Sequence, residues 1–288
     1  MPGQIPPETA DGWMVLHQLF RADWAGFHRL GRAERRDITA GAAEFLQEVE
    51  APAPDGQTAC FHVFGHKADL MLVHFRETLD QCLEAELALA QQPASEVLKP
   101  TGSYLSIVEL GLYYDTIAIR DQLQSQGLAP DSAEWAAEFD RQIAARREQL
   151  RGRRFPEIPS RKYVSFYPMN KRRGETHNWY ELDVKDRARL MMGHGEIGRK
   201  FAGEVQQIIS GSVGLDDWEW AVDLFADDPL AIKRLVYEMR FDEGSAVYGE
   251  FGPFYFGRRV PAAYFGEYLA GSVPAGEEEE QEGTEGTE

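Results

Sequence analysis

The chain has 288 residues, of which 43% are hydrophobic, so it can bury a sizeable core as one large domain or as two fused halves. Its formal net charge of −18 argues against a general nucleic-acid binder, because such proteins present a basic surface. No segment approaches the roughly 18 consecutive apolar residues that a membrane helix requires, so we expect no membrane partner.

The amino-terminal residues and the cysteine content indicate the compartment. The opening stretch MPGQIPPETADG lacks the basic region and the apolar run of a signal peptide. Cys60 and Cys82 are the only cysteines, too few for a disulfide framework. We therefore expect a cytoplasmic protein in which both thiols are buried and reduced, with a single disulfide between them as the alternative.

The first half of the chain, residues 12–113, follows a Pro-rich polar arm over residues 1–11. Its hydrophobic pattern predicts the order strand, helix, strand, strand, helix, strand. The predicted ranges are 12–20, 31–50, 58–65, 69–75, 76–91 and 102–112.

Residues 114–160 are predicted to form a helical connector. Ala, Gln, Glu and Arg dominate this stretch from Ser132 onward. Helix ends in the run FPEIPS, residues 155–160, because its two prolines cannot continue a helix.

The second half, residues 161–270, repeats the order of elements in the first. The helix over 229–240 is predicted to carry Pro229 at its first position, behind Asp227 or Asp228 as the cap. The acidic, low-complexity residues 271–288 are predicted to form a disordered tail. The predicted ranges of the second half are 161–170, 184–201, 204–213, 218–225, 229–240 and 245–257.

The duplicated order predicts an α+β fold. Each β-α-β-β-α-β half is a ferredoxin-like unit with one antiparallel sheet. Two such sheets can pack face to face or curl into a barrel, in either case with the helices outside.

One face of the strand over 162–171 is rich in hydrogen-bonding and redox-capable groups. Alternate residues of a strand share a face. That face carries Tyr163, Ser165, Tyr167, Met169 and Lys171.

The following helix and strand each place a polar residue in an apolar row. His194 lies in the stripe that Leu190, Met191, Ile197 and Phe201 form at helical spacing. Its neighbours Gly193 and Gly195 leave room for a flat, bulky group beside the imidazole, at a cost of roughly 1 kcal/mol each in helix stability. Gln207 interrupts the face of Val205 and Ile209 in the next strand.

The residues alone also allow ordinary structural roles. A single histidine on an apolar face, like a tyrosine or methionine in a strand, is usually part of a core. Lys171 can belong to a solvated charge cluster with Arg172 and Arg173, and Gln207 can complete a hydrogen-bond network.

Long stretches of the second half resemble a known family. Residues 161–257 are similar to the chlorite dismutase superfamily, specifically its coproheme decarboxylase branch, whereas the first half agrees mainly in the order of its elements. The stretches that carry the resemblance are YPMNKRR (167–173), NWYEL (178–182), RLMMGHGEIGRKFAGEVQQIISGSVGLDDWEW (189–220), LFADDPL (224–230), YEMRFDE (237–243) and EFGPFYFG (250–257).

The resemblance implies an activity, a cofactor and an assembly. The implied fold is a homopentamer of duplicated ferredoxin-like subunits, each with an iron porphyrin in its carboxy-terminal half. The implied reaction is the hydrogen-peroxide-dependent oxidative decarboxylation of two propionates of coproheme III. It gives heme b and completes a bacterial heme biosynthesis route. A coproporphyrin ferrochelatase is the implied transient partner.

Four matched residues correspond to the chemical centre of that family. The resemblance makes His194 the iron ligand and Tyr167 the residue whose radical attacks a propionate. It places Lys171 beside the second propionate and Met169 between the two.

Four further matches concern binding around the porphyrin. Gln207 occupies the position of a distal glutamine, where true chlorite dismutases have an arginine. Arg153 and Ser245 match residues that anchor propionates, and Arg199 matches a gate-like arginine. The connector is poorly matched, so the resemblance assigns it no substrate contact.

Two other functions fit the same resemblance. One is chlorite or peroxidase chemistry at a stable heme b, which Gln207 in place of arginine disfavours. The other is a non-enzymatic heme carrier or sensor.

Overall fold

The computed structural model describes residues 5–130 and 132–274. Residues 1–4 of the predicted arm and 275–288 of the predicted tail lie outside the described residues. The first half contains β1 (Thr9–Ala22), α1 (Trp24–Arg29), α2 (Arg32–Glu50), β2 (Gly56–Val63), β3 (Leu70–Arg76), α3 (Leu79–Ala90) and β4 (Leu98–Gly111). The connector contains α4 (Tyr113–Ser125), α5 (Ala133–Gln149) and α6 (Arg151–Arg154). The second half contains β5 (Tyr163–Lys171), α7 (Val184–Lys200), β6 (Gln206–Gly211), β7 (Trp220–Ala226), α8 (Pro229–Met239), α9 (Glu243–Tyr248), β8 (Gly249–Phe251), β9 (Tyr255–Arg259) and α10 (Phe265–Leu269).

The strands close into one antiparallel barrel. Hydrogen-bonded neighbours follow the order β7-β6-β4-β1-β3-β2-β9-β5, and a further pairing of β5 with β7 completes the ring. Within each half the strands lie in the order fourth, first, third, second, which is the arrangement of a ferredoxin-like sheet. The predicted duplicated fold is therefore confirmed, and of the two predicted arrangements the sheets adopt the barrel.

Side chains from both halves fill the interior of the barrel. Val15 of β1, Phe61 of β2, Phe166 of β5 and Phe225 of β7 belong to one buried cluster. Helices cover the outside. The last helix, α10, packs with α2 of the first half in one outer cluster, and α8 packs against the outer faces of β5 and β7.

Helix boundaries follow local capping. The Asp228 side chain accepts a hydrogen bond from the backbone N–H of Leu230, with Pro229 at the first helical position, as predicted for this helix. The connector is helical as predicted, and α4 and α5 bury Trp135 and Phe139 against each other.

The prediction of a single strand over 245–257 is wrong. The Asp242 side chain accepts a hydrogen bond from the backbone N–H of Ser245 and so begins a short helix, α9. Two short strands, β8 and β9, follow on either side of Pro253. Both strands pair with β5, and because proline has no N–H to donate, it interrupts that shared ladder.

Three further observations concern a strand boundary, the cysteines and membrane-spanning helices. The first strand begins at Thr9, inside the predicted arm. Cys60 and Cys82 are both free and buried, as predicted. Within residues 5–130 and 132–274, no helix is long and apolar enough to cross a membrane.

Candidate functional site

A cavity of about 730 Å³ lies between the barrel and the helices of the second half. The outer faces of β5, β6 and β7 form one wall, α7 and α8 form the facing wall, and the connector closes one end. This volume is within the range of roughly 300–1,000 Å³ that small-molecule sites occupy. Its lining includes all eight residues predicted from the sequence, namely Arg153, Tyr167, Met169, Lys171, His194, Arg199, Gln207 and Ser245.

The predicted alternation along β5 positions three of these residues on one wall. Val164 and Phe166 point into the barrel, whereas Tyr167 and Met169 pack with the outer layer. The ring of Tyr167 stacks on Phe254, with ring centroids 4.3 Å apart and planes at 23°. This stacking fixes the ring while leaving the phenol group at the cavity wall.

The phenol of Tyr167 is protonated in this environment. Burial raises its pKa above the ordinary value of tyrosine, the charge of Arg240 lowers it in part, and Asp223 adds to the rise. The hydroxyl has no hydrogen-bond acceptor among the described residues. It is therefore available to a bound molecule.

The ammonium of Lys171 also faces the cavity without a carboxylate partner. Its Nζ lies 4.4 Å from the ring centroid of Trp179, and no described carboxylate lies within ion-pair distance of it. Burial lowers the pKa of Lys171 to about 8, an effect that the charge of Asp242 partly opposes. An anion bound in the cavity would supply the missing counter-charge.

The imidazole of His194 is oriented by a carboxylate behind it. Its Nδ1 lies 3.0 Å from Asp242 Oδ2, which also accepts hydrogen bonds from the backbone N–H and the hydroxyl of Ser245, at 3.0 and 3.2 Å. Burial raises the pKa of Asp242, but the hydrogen bonds from His194 and Ser245 outweigh it and lower the pKa overall. With Nδ1 donating to an ionised carboxylate, Nε2 is the nitrogen left for a metal ion.

Ser245 makes its contacts on the histidine side of the cavity. Its Oγ lies 3.3 Å from His194 Nδ1 in addition to its bond with Asp242. Ser245 therefore helps to hold the imidazole, and its predicted contact with a propionate stays a prediction.

Two of the glycines near His194 line the cavity. They are Gly195 and Gly198, whereas Gly193 does not and instead lies near Asp242. The amide nitrogen of Gln207 is 3.1 Å from the place that a Cβ at Gly198 would take. A side chain there would push on Gln207, so this glycine lets the strand and the helix approach each other.

Arg153 and Arg199 contribute charge at the cavity edge. Both side chains are exposed, and neither forms an ion pair with any described carboxylate. Together with Lys171 and Arg240 they give the cavity four cations without an ion pair to any described carboxylate, although the whole chain is strongly acidic.

Sequence reasoning assigned no role to several residues at this site. Asp242 lies 48 positions from His194, and no local pattern links the two. Trp179, Arg240 and, from the connector, Tyr113 also line the cavity. The sequence signal that could have suggested Asp242 is its place three residues before Ser245, the spacing of a helix cap.

The comparison with family models decides the family. The model described as "Chlorite dismutase" matches residues 35–260. The chain belongs to the chlorite dismutase family. This confirms the resemblance that the second half predicted, and it extends the match into the first half.

Individual relatives of the chain add detail. Two proteins named coproheme decarboxylase, from Staphylococcus saprophyticus and Staphylococcus carnosus, are each 41% identical to 88% of this chain, which covers 94% of either protein. A protein of Haloquadratum walsbyi is 41% identical over 96% of the chain. The chain spans about half the length of that protein, 49%, and 52% of a relative from Halobacterium salinarum.

Solved structures of other proteins share the fold. A structure described as a novel heme-binding protein from Thermus thermophilus has a TM-score of 0.78 and 40% identity, covering 92% of this chain and 98% of its own. A chlorite dismutase variant from Candidatus Nitrospira defluvii has a TM-score of 0.66 at 18% identity, over 90% and 96% of the two chains. The second likeness bears on the fold alone.

Replacing Asp242 with asparagine should weaken binding of an iron porphyrin. The amide cannot accept from His194 as a carboxylate does, so the imidazole loses both orientation and electron donation. Losing such a support typically costs about 10- to 100-fold in metal affinity. Absorbance titration of the protein with ferric coproporphyrin measures this change.

The matched control is Glu243→Gln. Glu243 is the next residue in the chain, but its carboxylate pairs with Arg189 at the surface, 3.1 Å away. Equal affinities for Asp242→Asn and the control would contradict an orienting role for Asp242.

Proposed function

We propose that this protein is a coproheme decarboxylase, an enzyme that converts iron coproporphyrin III into heme b with hydrogen peroxide. The carrying observation is that His194, backed by Asp242, and the phenol of Tyr167 line one cavity with four cations that have no ion pair to a described carboxylate. The identity with the two staphylococcal proteins of that name supports the same substrate.

The residues present fit an iron porphyrin. An imidazole whose Nδ1 donates to a carboxylate is a common axial ligand of heme iron. Because Gly195 has no side chain, it leaves space in the cavity next to that imidazole. Arg153, Lys171 and Arg199 provide cations for the propionates, since charge-assisted pairs with carboxylates are stronger than neutral hydrogen bonds.

Iron in the porphyrin supplies the oxidising chemistry once peroxide reaches it, and the protein supplies placement. For each propionate, one peroxide accepts two electrons and is reduced to two waters, taking up one proton. The propionate loses a hydrogen and carbon dioxide, and a vinyl group remains. The reaction runs twice and ends at heme b.

Tyr167 is the proposed agent of hydrogen removal. Its phenol gives up an electron and its proton, and the resulting tyrosyl radical takes a hydrogen from a propionate carbon, which restores the phenol. The carbon radical that remains gives up one further electron to the oxidant that peroxide supplies, and its bond to the carboxylate breaks to release carbon dioxide and leave the vinyl group. The hydrogen transfer requires the phenol oxygen and the propionate carbon to come within about 3–3.5 Å of each other. The stacking on Phe254 holds the ring ready for such an approach.

Lys171 and Met169 follow Tyr167 at a spacing of two along β5, so all three share one wall. The proposed role of Lys171 is to hold a carboxylate and to move its proton. Met169 would fill the wall between the two reacting propionates.

Gln207 favours decarboxylation over chlorite chemistry. An uncharged amide on the strand wall polarises bound peroxide only weakly, whereas an arginine would stabilise a leaving oxyanion strongly. Slow, controlled oxidation suits a reaction in which the porphyrin is both the redox cofactor and the substrate that is oxidised.

The proposal extends to assembly and supply. A homopentamer in the cytoplasm, receiving its substrate from a coproporphyrin ferrochelatase, is the arrangement that the family resemblance supports. Leu79, Leu83 and Leu87 form an exposed apolar stripe on α3, which also supports a contact between subunits.

Mass spectrometry of the porphyrin tests the function directly. Purified protein is loaded with ferric coproporphyrin III, peroxide is titrated in, and the porphyrin is extracted. Two successive losses are expected, each of carbon dioxide and two hydrogen atoms from one propionic acid group. Bleaching without a vinyl product would contradict the proposal, and oxygen release from chlorite would point to the alternative chemistry.

Porphyrin affinity should depend on pH through Lys171. Because burial lowers the pKa of Lys171 to about 8, its ammonium is lost as the pH rises through that value. Affinity for ferric coproporphyrin should fall by about tenfold between about pH 7 and about pH 9, the scale of one charge-assisted pair. Titrations at several pH values should show this fall in the native protein and not in Lys171→Gln, with Lys162→Gln as an exposed control.

The same shift predicts a change in stability of the unbound protein. The folded pKa lies below the unfolded value of about 10.4, so the unfolded chain binds more protons between the two values. The cost of burying the ammonium is therefore full below about pH 8 and is relieved as the pH approaches the unfolded pKa. The free energy of unfolding should therefore rise as the pH increases from about 8 toward the unfolded pKa. Denaturant unfolding at several pH values should show that Lys171→Met flattens this rise, and an unchanged profile in the variant would contradict the burial of the charge.

A further inference from the structure

The connector contributes an ion pair to the cavity that the proposed mechanism does not use. Asp115 of α4 and Arg146 of α5 both line the cavity, with Arg146 Nε 2.9 Å from Asp115 Oδ1. The side chains are 39% exposed for Arg146 and 30% exposed for Asp115, so neither is fixed in a closed core. The pair lies where residues 114–160 close the end of the site.

The geometry of this pair is incomplete. Although Nε is close to the carboxylate, it is buried and its N–H is not directed at any acceptor in the described part of the chain. One terminal nitrogen, Nη1, donates to Gln149 at 3.1 Å. Arg146 is thus charge-paired but poorly hydrogen-bonded, unlike an arginine held by a two-pronged carboxylate contact.

Arg146 lies near the end of α5, and Arg153 lies in the short helix α6 that follows it. Both residues line the cavity, as does Leu150 between the two helices. The connector therefore presents two arginines toward the same space. One of them has no ion-pair partner among the described residues, and the other is covered by Asp115.

We infer that Arg146 is a carboxylate-binding residue of this cavity and that Asp115 is its internal competitor, displaced when a porphyrin carboxylate binds. This inference rests on the proposed function for its ligand, a porphyrin that carries carboxylates at its edge. In the free protein Asp115 supplies the counter-charge of Arg146 and so lowers the free-energy cost of leaving this arginine partly buried. In the complex a substrate carboxylate takes over Arg146 with better-directed hydrogen bonds.

The chemistry of the substrate explains why such a residue discriminates. Coproporphyrin carries one propionate on every pyrrole ring, so whichever edge faces the connector presents a carboxylate. In protoporphyrin the two propionates are on adjacent rings, and the opposite edge has none. The carboxylate at Arg146 belongs to the edge that reacts, so that the arginine holds the substrate more firmly than the product and Asp115 reclaims it when that carboxylate is gone.

Equilibrium binding without peroxide tests the inference. Ferric coproporphyrin III and ferric protoporphyrin IX are titrated separately into the protein and its variants. Arg146→Gln should weaken coproporphyrin binding by about tenfold, the scale of one charge-assisted pair, and protoporphyrin binding by clearly less. Asp115→Asn should strengthen coproporphyrin binding, by about threefold or more, because the competitor is neutralised.

The double variant distinguishes competition from simple support. If Asp115 acts only through Arg146, then Asp115→Asn combined with Arg146→Gln should bind as weakly as Arg146→Gln alone. Weaker binding by Asp115→Asn would overturn the competition, since it would mean that Asp115 positions Arg146. Unchanged binding by Arg146→Gln would overturn the whole inference and leave an ordinary link between two helices.

A second ion pair on the same helix provides the control. Arg141 and Glu138 pair at 2.6 Å on the exposed face of α5, away from the cavity. Arg141→Gln and Glu138→Gln change the same charges and should leave both affinities within about twofold. If they shift coproporphyrin binding as far as the cavity variants do, long-range charge explains the effect and the inference fails.

Failure of this inference is distinct from failure of the proposed function. The binding measurements need no turnover, and the peroxide experiment needs no variant. A protein that makes heme b while Arg146→Gln binds normally refutes only the inference. A protein that makes no heme b but shows the predicted binding pattern keeps the inference and refutes the decarboxylase.

Discussion

Tyr167→Phe should bind ferric coproporphyrin normally and fail to decarboxylate it. The substitution removes one oxygen atom and keeps the ring, which can still stack on Phe254. The lost hydroxyl has no hydrogen-bond partner in the described residues, so the fold loses no internal bond. The rate of carbon dioxide loss should fall by at least about 100-fold, the scale on which a positioned reacting group acts.

The control for this result lies on the same strand. Tyr163 is four residues away on the same face of β5 and stacks on Phe256, with ring centroids 5.7 Å apart, but it does not line the cavity. Tyr163→Phe should therefore convert coproheme at the native rate. Mass spectrometry of the extracted porphyrin separates the two variants. Native conversion by Tyr167→Phe would show that the radical forms elsewhere.

The same pair of variants separates an enzyme from a carrier. A heme carrier would show equal binding for the native protein, Tyr163→Phe and Tyr167→Phe, and no product in any of them. An enzyme that uses Tyr167 shows equal binding but product in only two of the three. Binding and product must therefore be measured in the same samples.

Much of the fold follows from short-range patterns in the sequence. The face of Tyr167, Met169 and Lys171 could be predicted because alternation along a strand depends only on the strand itself. The stripe that carries His194 could be predicted from helical spacing for the same reason. The duplicated order of elements then limited the architecture to two sheets, packed or closed.

Contacts between distant residues could not be predicted in this way. The hydrogen bond between His194 and Asp242 joins α7 to the cap of α9. Residues 245–257 are rich in aromatic and small residues, a composition that favours strand, although the chain forms a helix at Ser245. The choice between packed sheets and a barrel depends on the pairings β4–β6 and β2–β9, which join the two halves and which no local pattern encodes.

The connector is the clearest case of a tertiary effect. Its composition predicts helix correctly, but composition does not say which helical face meets the cavity. Asp115 and Arg146 lie 31 positions apart and meet because α4 and α5 pack around Trp135, Phe139 and their neighbours. A role for the connector in binding could therefore emerge only from the packed structure.

His194→Ala should lose most of its affinity for ferric coproporphyrin while keeping its affinity for the iron-free porphyrin. The iron-free molecule presents the same carboxylates to Arg153, Lys171 and Arg199 but cannot accept a bond from the imidazole. Loss of a group that merely supports a metal ligand costs roughly 10- to 100-fold in affinity, so loss of the ligand itself should exceed about 100-fold. Absorbance titration measures the iron form, and porphyrin fluorescence measures the iron-free form.

Added imidazole sharpens this test, because the space left by the side chain is bounded by Asp242 and Gly195. Free imidazole can donate to Asp242 and offer its other nitrogen to iron, so millimolar imidazole should restore part of the iron-dependent affinity. His28→Ala removes an exposed histidine of the first half and should change neither titration. Equal losses for the iron and iron-free porphyrins would mean that alanine deforms the cavity rather than removing a ligand, and His194 would then not be the residue that holds the metal.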